Sequence, residues 1–294
     1  MDYTSLVRLL NITPGDRVSF LGLTWAFLHP SENLEKDILF TDLNLCDGKL
    51  NSEYIRKAYQ RSEFKIIVYC QRDEEVMVRP PKGVLPFMTW AKLPLQPYRH
   101  RGLKGVIGII FAKKYLDGIY INVTCANTYD SNQNVIPTKI GLILRTAMLN
   151  FSRNHLGFQN AYNHAGNQDL VLYYKRLGWV LSNQICGVID DISLKFNELS
   201  NPEDIKALLN SDFVKNTLLT NSGYPMRLCN YDLDMINKKT MEEFAKVKVE
   251  DIIVKYGSLC LPKKPFSNSL KNVYDEANNE YDESYDILNQ EGRV

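Results

Sequence analysis

The sequence predicts an α/β fold built on a mixed sheet, and three observations carry that expectation. From Gly118 to Trp179 the chain reads as strand, polar turn, helix, strand, helix. That order is a βαβα unit, which implies a parallel pair of strands with a helix packed across them. Two further apolar runs, Phe64 to Cys70 and Lys104 to Tyr115, have the β-branched and aromatic content of strands. The second reaches the unit through Asp117-Gly118, a hairpin-turn dipeptide. At 294 residues the chain is long enough to bury a core of its own.

In chain order, Tyr3 to Leu10 has the spacing of a short amphipathic helix, stopped by Pro14-Gly15. Val18 to Leu28 reads as a strand or a buried apolar segment. Asn51 to Gln60 is predicted to be a helix capped by Asn51 or Ser52, with Tyr54, Ile55, Ala58 and Tyr59 on one face. Arg79 to Gly102 holds five prolines and reads as irregular, either a stiffened surface loop or a flap over a cleft. The central unit follows. Its strands are expected at Gly118–Ala126 and Gly157–Ala165, its helices at Pro137–Asn154 and Asp169–Leu177. Beyond Trp179 the pattern gives a strand over Val188–Phe196, then helices over Pro202–Leu209, Asp212–Leu219 and Lys238–Val247.

Charge and cysteine usage narrow the function classes. Thirty-five basic and 34 acidic residues leave a net charge of +1, so no overall field favours nucleic acid. The charge is uneven at the end: from Tyr274 onward there are seven acidic residues against Arg293 alone. That acidic tail is expected to be flexible and to suit a basic protein partner. Six cysteines and four histidines are scattered without metal-ligand spacing, so no metal site is expected. Several cysteines fall in apolar strands, which suggests reduced core residues and an intracellular, cytoplasmic protein. The run Val18–Leu28 has 11 residues, too few to span a bilayer.

The turn before the helix at Pro137 is where a phosphate-bearing ligand would sit, because free N–H groups and the helix dipole both face it. Ile140, Ile143, Leu144, Ala147 and Phe151 form the apolar stripe of that helix, with Arg145, Asn150 and Arg153 expected on its surface.

These residues resemble the acyl-CoA-binding half of the GNAT superfamily of N-acetyltransferases. The superfamily's phosphate pattern, Arg/Gln-x-x-Gly-x-Gly/Ala, falls on Ile136, Lys139 and Gly141, where Gly141 alone keeps it. A second alignment is similar to the related N-myristoyltransferases. Ile121-Asn122-x-x-Cys125 is followed by Val135-x-Pro137-x-x-Ile140, against a loop reading Ser-x-x-Val-Ala-Pro-x-x-Ile. Ser131, Val135, Pro137 and Ile140 are kept with one extra residue in the loop, and Ile136 stands for the alanine. Tyr173-Tyr174-Lys175-Arg176 and Leu177-Gly178-Trp179 resemble the next helix and its Leu-Gly-Phe ending.

The resemblance implies a GNAT-like acyl-CoA N-acyltransferase fold and transfer of an acetyl or longer acyl group from coenzyme A to an amine. It assigns the donor to Val123, Thr124 and Cys125 on the strand, then Asn134, Val135, Ile136, Pro137, Thr138, Lys139, Ile140 and Gly141. Main-chain N–H groups of Val123 and Thr124 would meet the thioester oxygen. Tyr174 matches the acid for the leaving thiolate. No carboxylate lies on Gly118–Ala126, so Asn122, Thr124, His164 and Asp169 are the polar candidates for handling the amine's proton, and His164 has the suitable intrinsic pKa. N-myristoyltransferases use their C-terminal carboxylate as base; that role is not carried over to this sequence, which ends Glu-Gly-Arg-Val294 and shows no recognisable counterpart of their second half.

Four regions follow: residues 1–40 as an extension, 41–190 as the acyl-CoA-binding domain, 191–265 as a mostly helical C-terminal region, and 266–294 as the acidic tail. The alternative is a degenerate relative of the same fold that serves as a binding or assembly module.

Overall fold

An eight-stranded mixed sheet forms the centre of a mixed α/β structure in which, among the described residues, eight helices are found. The structure is a computed structural model, and it describes residues 3–32, 52–69, 75–78, 96–99, 106–126 and 139–247. The first helix, α1 (Tyr3–Leu10), buries Leu6, Leu9 and Leu10, as its spacing predicts. Val18–Leu28 becomes a hairpin, β1 (Arg17–Phe20) and β2 (Leu23–Phe27), turned by Leu21 and Gly22 at positive φ. Helix α2 (Ser52–Gln60) and strand β3 (Phe64–Tyr69) lie close to their expected bounds.

Strands β4 (Glu75–Val78) and β5 (Gln96–Arg99) pair as a separate two-stranded sheet. The second falls inside the proline-rich stretch, so Arg79–Gly102 is not irregular throughout. Pro97 is tolerated there because a two-stranded pair is all edge.

The main sheet continues with β6 (Val106–Tyr115), β7 (Gly118–Ala126), helix α3 (Ile140–Leu156), β8 (Asn160–Ala165) and helix α4 (Gln168–Arg176). Then come β9 (Val180–Leu181), α5 (Asp191–Glu198), α6 (Pro202–Asn210), α7 (Asp212–Thr217), β10 (Tyr224–Leu228) and α8 (Leu233–Ala245). The strand order is β1-β2-β3-β6-β7-β8-β10-β9. Among the described residues, β7 and β8 run parallel and the other pairs are antiparallel. The βαβα unit therefore stands as expected, with β8 also clasped by a later strand.

Two expectations for the C-terminal region are corrected. Val188–Phe196 is not a strand. Asp190 caps a helix there, its side chain accepting from the Ser193 N–H, and a capped start outweighs a short apolar run. The helical region also returns a strand to the sheet: β10 lies between β8 and β9.

The two faces of the sheet differ. A Cβ on Gly108 would meet Ile140 and Leu144, so that side of β6 faces α3. Its neighbours Ile109 and Phe111 pack with Ile55, Ala58 and Tyr59, so the other side faces α2. Helix α3 is covered on its outer side as well, by α1 and α8. Asn150 donates to the Leu10 carbonyl and to Asn237 (both 2.9 Å), and the Thr146 and Thr240 hydroxyls lie 2.8 Å apart. The expectation that Arg145 and Asn150 sit on the surface is overturned by this cover: they are 5% and 1% exposed.

The cysteines also depart from expectation. Cys186 and Cys229 form a disulfide with Cα atoms 5.5 Å apart, joining the segment after β9 to the end of β10. Cys125 is disulfide-bonded too. The argument from reduced cysteines to a reducing compartment therefore falls. Among the described residues no helix is long and apolar enough to cross a membrane. The acidic tail lies outside the described residues.

Candidate functional site

The parallel pair β7–β8 is short. Gly118, Ile119 and Tyr120 pair with Asn160, Ala161 and Tyr162, and the register ends there. Strand β7 continues to Ala126 along β6, and β8 continues to Ala165 along β10. Beyond Tyr120 the β8-facing edge of β7 has no strand partner among the described residues. Strand β7 also carries a bulge. Phe111 opposes Val123 and Ala112 opposes Ile121, leaving Asn122 as the extra residue. A bulge bends and twists its strand, which suits the departure of β7 from β8.

Asn122 is held on both its side chain and its main chain. Its Nδ2 donates to Ser62 Oγ (2.6 Å), and its carbonyl accepts from the Tyr54 hydroxyl (3.4 Å). The amide thus fixes the bulge to the end of α2 rather than standing free for chemistry.

His164 has a partner that sequence reasoning missed. Its Nδ1 lies 2.5 Å from the Tyr120 hydroxyl. Tyr120 opposes Lys113 on β6, two residues from Phe111, so the pair is on the α2 face. Burial raises the Tyr120 pKa to about 12, helped by Tyr54 and Tyr115 nearby. Burial also lowers the His164 pKa, since the interior penalises imidazolium. Both shifts favour the neutral phenol and the neutral imidazole, which share one hydrogen bond. Tyr115 packs against both Tyr120 and Tyr162, with ring centroids 5.5 and 5.3 Å away. The Tyr162 hydroxyl donates to Asp117 (2.6 Å) and accepts from the Cys186 N–H (3.0 Å).

On the α3 face, two buried polar side chains of the diverging strands lack partners. Thr124 Oγ1 makes no hydrogen bond, and neither amide atom of Asn163 does, although Asn163 is 3% exposed. Thr124 opposes Ile110, whose side alternates with Phe111, and Asn163 alternates with Tyr162 and His164. Both therefore face α3. Buried groups of this kind are nearly always satisfied in folded proteins, so two on one side of one gap point to a missing occupant.

Tyr174 is buried on α4 and accepts from Arg145 Nη2 of α3 at 2.7 Å. Its ring lies 5.6 Å from that of Trp179. Burial, the largest effect, raises its pKa, and the guanidinium works against that rise. No contact joins Tyr174 to His164 or Asn122: Tyr174 packs on the α3 side, His164 on the α2 side.

Val123 and Cys125 are buried toward α2, so any part they play in ligand binding falls to the main chain. Lys139 adopts a left-handed conformation (φ 54°) at the start of α3, with no side-chain cap, and its Nζ pairs with Glu243 of α8 at 2.9 Å. A diphosphate would compete with that carboxylate for it. Gly141 is open, with no atom within 4 Å of a Cβ placed there, whereas Ile140 is buried. Asn134, Val135, Ile136, Pro137, Thr138 and Ser131 lie outside the described residues. Asp169 sits in the first turn of α4, two residues past the cap Asn167. Among the described residues no His, Cys, Asp or Glu cluster is arranged to hold a metal.

No protein-family model matches this chain, and no curated protein sequence matches it significantly. The site is therefore read from its geometry.

Proposed function

We propose that the chain is an acyl-CoA-dependent N-acyltransferase of the GNAT type, passing an acetyl or longer acyl group to an amine. The observation that carries this reading is the divergence of the parallel strands β7 and β8 after three residue pairs, next to the bulge at Asn122. An unpaired strand edge offers N–H and C=O groups to an extended ligand. The unsatisfied side chains of Thr124 and Asn163 add polar partners on the same gap. A pantetheine arm, an extended chain of amides, has the donors and acceptors those groups lack.

Each residue then takes a role. Main-chain N–H groups near Val123 and Thr124 stabilise the oxyanion, a donor of this kind being worth about 3 kcal/mol of barrier. The attacking amine passes its proton to the Tyr120 oxygen as Tyr120 passes its own to His164 Nδ1. Tyr174 gives its proton to the thiolate when the C–S bond breaks, and Arg145 steadies the tyrosinate formed. Solvent then takes the His164 proton and restores Tyr174. The donor diphosphate is assigned to residues 134–141 on the resemblance of that stretch. The acceptor is an amine on a peptide, protein or small molecule.

The test is thiol release from acetyl-CoA and longer acyl-CoA esters with a panel of peptide amines. Tyr120→Phe is expected to lower kcat by roughly 100-fold, the usual worth of a positioned proton carrier. Absence of turnover with every donor and acceptor would overturn the enzymatic reading. A second reading, a non-catalytic binding or assembly module of the same fold, is favoured by one observation: Tyr174 is buried against Arg145. It expects a stable protein partner and Tyr174→Phe without effect on any measured rate.

A further inference from the structure

A cavity of about 270 Å³ lies between α3, the C-terminal end of α4 and α8. It opens on the stripe of α3 formed by Leu142, Arg145, Thr146 and Leu149, whereas Ile140 and Leu144 face the sheet. It is thus separate from the gap between β7 and β8. Its body is apolar, with Leu149, Trp179, Leu228 and Ile236 in the wall. Its charge has one sign. Arg145, Lys175, Arg176 and Lys239 line it, and no carboxylate does.

Arg145 is the informative residue. It is 5% exposed, and of its nitrogens only Nη2 has an acceptor, the Tyr174 hydroxyl. Nε and Nη1 are buried with no hydrogen-bond partner. The guanidinium rests over the Tyr174 ring, 4.4 Å from its centroid, which offsets only part of the loss of water. A buried cation with two free donors and no counter-ion is unfavourable unless an anion completes it. A carboxylate oxygen accepts a charge-assisted hydrogen bond from a guanidinium N–H, here Nη1 or Nε. Lys175 and Lys239 are tied to the Phe196 and Arg176 carbonyls, so they add field rather than a direct grip.

We propose that this cavity binds a small amphipathic carboxylate, its head on Arg145 and its apolar body between α3 and α8. A cavity of about 150 Å³ is enough for benzene, so this one accommodates a body of about ten heavy atoms. The proposal does not depend on acyl transfer.

Calorimetric titration of the full chain with sodium octanoate tests it. One octanoate per chain is expected, with 1-octanol weaker by about tenfold or more, the usual worth of a charged hydrogen bond. Inorganic phosphate, lacking the apolar body, is expected not to saturate. Arg145→Met replaces the buried cation by an apolar side chain of similar length and is expected to fold, since such exchanges are often neutral. It should lose octanoate affinity by about tenfold or more. Ile236→Trp fills the cavity from α8, leaves Arg145 in place and should abolish binding. Equal binding of octanol, saturation by phosphate alone, or undiminished binding to either variant would each overturn the proposal.

Discussion

Tyr120 and His164 form one unit, and their chemistry has a sign that can be measured. The folded imidazole binds protons more weakly than its ordinary value of 6.5, because it is half-buried. The unfolded chain therefore takes up the proton first as pH falls. The contribution to stability is fully present above pH 6.5 and declines as pH drops through the window below it. Urea midpoints from pH 8 to pH 5 should fall for the native chain, and His164→Gln should flatten that fall. An unchanged slope in the variant would show that His164 is not held neutral. His164 was legible in the sequence as a titratable group at a strand end. Tyr120 was not, because its nearness to His164 is fixed only by the register of β7 on β8. Arg145 was misread for a related reason. A helical stripe reports the face that meets the sheet, and nothing local to α3 announces that α8 covers the other.

At the scale of elements, the close approach of β7 and β8 depends on Gly118. A Cβ there would meet the Asn160 carbonyl oxygen at 2.3 Å, backbone that cannot step aside. Gly118→Ala should cost about 3 kcal/mol, the upper part of the overpacking range. Gly141→Ala, where a Cβ meets nothing within 4 Å, should stabilise α3 by about 0.5–1 kcal/mol. Denaturant melts of the two variants should move in opposite directions; parallel shifts would contradict the placement of both glycines. The Cys186–Cys229 bridge spans 43 residues of chain. Replacing both cysteines by serine should cost about 4 kcal/mol on the chain-entropy account, and peptide mapping without reductant should recover the linked pair. Buried Arg227 braces the same region, donating to the Ile185 carbonyl (2.7 Å) and to Asp190 (3.3 Å). Helix α5 was misread as a strand because Val188 and Ile189 precede the Asp190 cap. Strand β10 escaped notice because it is five residues long and contains Pro225.

For the molecule as a whole, element order was legible and strand order was only partly so. Apolar periodicity and turn residues are local, so they mark where strands and helices begin and end. Which strand lies beside which is decided by distant packing. That is why the βαβα unit was readable while the return of β10 between β8 and β9 was not. The proposed activity depends on a property of this larger scale: strands β7 and β8 part after three residue pairs, with His164 on the α2 side and Tyr174 on the α3 side. One bound molecule in that opening would meet groups from both faces. Thermal unfolding of the full chain with acyl-CoA esters tests this most directly. At a roughly 100-fold excess over Kd a ligand of the folded state adds about 2.7 kcal/mol, which corresponds to a rise of roughly 5–10 °C in Tm. A rise of that size with acetyl-CoA or a longer ester, reduced when Thr124 and Asn163 are replaced by valine and leucine, is the predicted result. No change in Tm with any ester at saturating concentration would contradict it.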